Sequence, residues 1–62
     1  MTADESLARA EALLGRLEAT RARLEATEDR EAAIELLTEL AQIARDVQVE
    51  LERAQREADE GA

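Results

Sequence analysis

Apolar residues recur along this chain at three- and four-residue steps, in two separate runs. The first run is Leu7, Ala10, Leu14, Leu17 and Leu24, a heptad series that Leu13 broadens. That spacing predicts an amphipathic helix over about 3–26. One position in the series is polar, Arg21, and its neighbour Thr20 also lies on the stripe. The start is signalled by Thr2-Ala3-Asp4-Glu5, a capping-box pattern with Thr2 as N-cap and Glu5 at the third helical position.

The second run is longer and broader: Ala33, Leu36, Leu37, Leu40, Ile43, Ala44, Val47, Leu51, Ala54 and Ala58. It follows i, i+3, i+4, i+7 spacing and predicts a helix over about 31–59. Its width suits two neighbours rather than one. Ile34 and Val49 lie off the stripe. Glu5–Arg9 and Glu52–Arg56 have the favourable Glu-before-Arg spacing, worth a few tenths of a kcal/mol each.

Between the runs, 26–31 hold no large apolar residue. Thr27 is a candidate second N-cap with acidic residues in the turn after it. The apolar phase does not carry across: sevens counted from Leu24 reach Glu31, Thr38 and Arg45. One straight helix would be roughly 80–90 Å long at about 1.5 Å per residue, with its stripes on different sides. A bend at about 27–30 lets them face each other. The expected fold is therefore all-α, a two-helix antiparallel hairpin with coiled-coil-like packing, spanning 1–62 as one unit.

Composition narrows the chemistry. The chain has 62 residues, and among them no Cys, His, Pro or aromatic residue. A chain this short buries a limited fraction of its surface and usually needs reinforcement. Without Cys or His, disulfides and the usual zinc sites are excluded, which leaves association. All eight basic residues are Arg, against 16 acidic ones, for a net charge of −8. That charge opposes direct nucleic-acid binding, and the lack of aromatics removes stacking platforms. No apolar run is long enough to span a membrane, and the expected location is the cytoplasm.

Candidate chemistry is sparse. Glu31, Glu35 and Glu39 fall on one side of a helix, where carboxylates can hold a hard cation. The simpler reading is a solvated acidic face, because helical di-metal sites add histidines. The sequence offers no His or Lys as a base for Ser6, Thr20 or Thr27, so nucleophilic catalysis is not expected. Arg21 either pairs with an acidic residue of a partner or packs its stem at an edge while its head reaches water. No cofactor, metal or catalytic residue is expected.

The expected activity is protein binding. The first stripe is narrower than the second and is interrupted at Thr20 and Arg21, so it leaves apolar surface for another protein. The expected contact residues are Leu14, Leu17, Arg21 and Leu24 on helix one. On helix two they are Leu36, Leu37, Leu40, Ile43, Val47 and Leu51. The partner is a larger subunit or a second copy, giving an oligomer in either case. A third reading is an acidic decoy for a basic, DNA-binding surface.

The stretch Glu31-Ala32-Ala33-Ile34-Glu35-Leu36-Leu37, continuing through Ile43-Ala44-Arg45 to Leu51-Glu52-Arg53-Ala54-Gln55, resembles the exodeoxyribonuclease VII small subunit family. Leu24-Glu25 matches the Leu-Glu ending of that family's first helix. Ala33, Leu36, Ala44, Leu51 and Ala54 fall in step without gaps. The turn is one residue shorter than the family's and lacks its Gly-Asp pair. Leu40 stands where the family has Gly, and the family's aromatics are missing. The resemblance implies an accessory subunit without a catalytic site. In that family the large subunit carries the nuclease site, and several small subunits coat its long helical region. The complex degrades single-stranded DNA to oligonucleotides.

Overall fold

The computed structural model describes residues 2–61. Two helices, α1 (Ala3–Ala26) and α2 (Arg30–Gly61), fold back on each other as an antiparallel hairpin. At about 1.5 Å per residue α2 alone is about 48 Å long. The molecule measures 49 × 14 × 12 Å, so α2 runs its whole length with α1 alongside.

Local chemistry sets each helix end. The Thr2 hydroxyl accepts from the Glu5 backbone N–H at 3.1 Å, which satisfies one of the orphan donors of the first turn. Asp4 and Glu5 sit in that turn, at the positive end of the helix dipole, and Arg23 sits in the last turn. At the other end Thr27 is the C-cap of α1. Its hydroxyl donates to the Arg23 carbonyl at 2.7 Å, and its N–H donates to the Leu24 carbonyl at 3.2 Å. The N-cap of α2 is Asp29, not Thr27 as the sequence pattern suggests. The Asp29 carboxylate accepts from the Glu31 N–H at 3.3 Å, and its carbonyl takes the first helical bond from Ala33 at 2.9 Å. Thr27 leaves α1 in an extended conformation (φ −88°, ψ 129°), so the bend needs no residue of positive φ. A left-handed cap would favour Gly; this exit does not.

The seam follows an unbroken alternation of three and four residues. On α1 it is Ser6, Ala10, Leu13, Leu17, Thr20, Leu24 and Thr27; on α2 it is Ala33, Leu36, Leu40, Ile43, Val47, Glu50, Ala54 and Glu57. All are buried or half-buried. Ile43 is the largest fully buried side chain, and Ser6 is also fully buried. This is coiled-coil spacing, and it corrects the phase expected for α1. Leu7, Leu14 and Arg21 are exposed and flank the seam; Ser6, Leu13 and Thr20 occupy it.

The Arg9–Glu50 ion pair (3.9 Å) fixes the register. Counting outward from it, to within about a residue, puts Leu13 near the level of Val47, Leu17 near Ile43, Thr20 near Leu40, and Leu24 near Leu36. The large side chains thus sit in the middle and at the turn, while Ser6, Ala10 and Ala54 thin the seam toward the open end. The hairpin exposes 4665 Å². A compact monomer of its mass would expose about 4000 Å². The excess follows from the elongated shape, and six large apolar side chains are among the exposed residues.

Candidate protein-docking face

The two edges of the seam differ in chemistry. One edge is charged. Arg9, Arg16 and Arg23 follow each other along α1 at seven-residue steps, and Glu39, Asp46 and Arg53 do the same along α2. Arg9, Ala12 and Arg16 share a shallow groove with Asp46, Val49 and Arg53, which shows that these flanks lie on one side of the hairpin. Glu39 and Asp46 are half-buried there.

The opposite edge must then carry the opposite flanks, because residues seven apart keep one side of a helix. These are Leu7, Leu14 and Arg21 on α1 and Leu37, Ala44, Leu51 and Ala58 on α2. Leu7 is 45% exposed, Leu14 48%, Leu37 54% and Leu51 48%. The register brings Leu7 near the level of Leu51, Leu14 near Ala44, and Arg21 near Leu37. Four exposed leucines thus share one side of the two-helix layer, with Arg21 beside them. The other exposed large apolar residues, Ile34 and Val49, lie off this edge.

The residues singled out from sequence therefore divide. Leu17, Leu24, Leu36, Leu40, Ile43 and Val47 face the seam and pack within the hairpin. Leu14, Leu37 and Leu51 face water and are available to a partner. Leu7 joins them by position. Arg21 lies on the same edge, tied to its own helix: its guanidinium donates to Glu25 and, at 3.0 Å, to Glu18. The Glu18 hydrogen bond and charge, with the charge of Glu25, hold the Arg21 guanidinium above its ordinary pKa. It remains a cation at any relevant pH, paired within its own helix and half-exposed.

Glu50 is a residue that the stripe pattern passes over. It occupies a seam position at 6% exposure. Its Oε1 accepts from Arg53 at 3.1 Å and lies 3.9 Å from Arg9. Its Oε2 is buried without a hydrogen-bond partner. The available signal was spacing: Glu50 lies three residues after Val47 and four before Ala54.

Among the described residues no cluster of three His, Cys, Asp or Glu side chains is placed to hold a metal ion. No helix among them is long and apolar enough to cross a membrane. No family model, curated protein or solved structure matches the chain.

Proposed function

We propose that this chain is a non-catalytic accessory subunit that docks on a larger protein through the leucine edge of the hairpin. The observation that carries this reading is the position of Leu7, Leu14, Leu37 and Leu51: exposed, on one side, with the seam already filled by other residues. Several large apolar side chains exposed on one side of a small hairpin favour association. The resemblance of α2 to the exodeoxyribonuclease VII small subunit points to the helical region of a single-strand DNA exonuclease as the larger protein. An acidic chain would bind that protein and leave the DNA phosphates to it.

The experiment is affinity purification of the tagged chain from its native host, with mass spectrometry of what accompanies it. The wild type is compared with Leu37→Glu/Leu51→Glu. Both substitutions are at exposed positions, and far-UV circular dichroism checks that the hairpin persists. Recovery of a nuclease large subunit by the wild type, and its loss from the variant, supports the reading. Recovery of the chain alone, as two or more copies, contradicts it and favours a self-assembling hairpin.

A further inference from the structure

The leucine edge is bounded unequally, and the inequality bears on what covers it. On the outer side of α1, Asp4, Glu11, Glu18 and Glu25 succeed one another at seven-residue steps, all exposed. Neighbours in this row are about 10 Å apart along the axis. Glu18 and Glu25 hold Arg21, whereas Asp4 and Glu11 have no ion-pair partner among the described residues. On the outer side of α2 the equivalent row is Ile34, Ala41, Gln48 and Gln55, which carries no charge. The edge thus has one acidic bank and one neutral bank.

Resting on the accessory-subunit reading, we propose that the docked element is an amphipathic α-helix of the larger protein. It lies along the leucine edge, touching both α1 and α2. Its apolar stripe is flanked, on the α1 side, by Arg or Lys recurring every seven residues. The exposed leucines recur at multiples of seven, a period that a third helix packed at a shallow angle matches. The acidic row repeats with the same period, so one helix satisfies both. A second copy of this chain does not. A two-fold pairing through this edge sets the acidic row against its own equivalent or against the uncharged Ile34–Gln55 row. Neither row supplies cations, the one arginine on the edge, Arg21, is already held by Glu18 and Glu25, and the net charge of −8 per chain adds repulsion.

The test uses the full chain and two synthetic four-heptad peptides with the same Leu/Ala stripe. One is flanked by Arg and the other by Glu, and binding is measured by calorimetry. The Arg peptide is expected to bind about tenfold more tightly at about 0.05 M salt, with the difference shrinking at about 0.5 M. Glu11→Lys/Glu18→Lys should abolish the preference. Glu35→Lys/Glu60→Lys changes the net charge equally, away from the acidic row, and should keep it. Circular dichroism confirms that each variant is helical. Equal affinity for both peptides, or binding of neither, overturns the proposal. So does a stable dimer of the wild type in sedimentation that Glu11→Lys/Glu18→Lys tightens, because a second copy is then the occupant. The two readings fail separately. If the native partner is lost with Leu37→Glu/Leu51→Glu but retained with Glu11→Lys/Glu18→Lys, the docking edge stands and the charge-matched helix falls. If neither variant alters recovery, both fall.

Discussion

Replacing Glu50 with Met should stabilise the hairpin, although it removes the ion pairs that Glu50 makes. The carboxylate lies in the seam with Oε2 lacking a hydrogen-bond partner. A buried acceptor left unsatisfied costs about 1–3 kcal/mol. Against that stand the contacts to Arg53 and Arg9, whose side chains are 44% and 59% exposed. Ion pairs with partners so exposed contribute about 0.2–1 kcal/mol each. Met has similar length, fills the same space, and needs no partner. The expected net gain is about 1–2 kcal/mol, in line with the general result that a buried charge is often replaced by an apolar residue without loss. For a domain of this size that raises the melting temperature by about 5–15 °C. The assay is thermal and urea unfolding by far-UV circular dichroism, since the chain has no aromatic residue for fluorescence. Sedimentation keeps the comparison between species of equal mass. Destabilisation by more than about 1 kcal/mol would refute the reasoning and show that the Arg9–Glu50–Arg53 group holds the open end together.

Other substitutions separate seam from edge. Ile43→Ala should cost about 2–5 kcal/mol in urea unfolding, because it empties the most buried large position. Leu37→Ala, at an exposed position of the same helix, should change stability by no more than about 0.5 kcal/mol in the same assay. Gly15→Ala should add about 1 kcal/mol to thermal stability: a Cβ there meets nothing within 4 Å, and Gly is the poorer helix former. Asp29→Ala should lose about 1 kcal/mol through the α2 N-cap, whereas Thr27→Ala should leave that cap intact.

Much of the hairpin was legible in the sequence, since it depends on apolar periodicity and on the phase break after Leu24. The same residues that mark the helices also pack them. The phase of α1 was less legible for a definite reason. Large side chains dominate any reading of a stripe, so Leu7 and Leu14 draw it toward themselves. Packing instead selects the phase that meets α2 along its whole length, and that phase runs through Ser6 and Thr20. Both read as polar, yet both are small enough for close helix approach. Glu50 was hidden likewise, because a carboxylate at a seam position is legible as one only once the neighbouring spacing is fixed. The turn was misassigned by one choice between two good capping residues. Thr27 satisfies the end of α1 through its own hydroxyl, which leaves Asp29 to start α2.

The division of leucines follows from that shift of phase. With Leu7 and Leu14 in the seam, the two stripes would cover each other more fully. With Ser6, Leu13 and Thr20 there instead, Leu7 and Leu14 join Leu37 and Leu51 on one edge. A second stripe too wide for the first would leave its surplus on α2; the exposed leucines instead lie on both helices, Leu7 and Leu14 on α1 and Leu37 and Leu51 on α2.

Site-specific photo-crosslinking in the native host tests the docking edge most directly. A photoreactive residue at position 14, 37 or 51 should link the chain to one larger protein. The same residue at 12, 35 or 56, away from the leucine edge, should not. Equal crosslinking from both sets, or crosslinks only between copies of the chain, would contradict a leucine edge built to receive a larger partner.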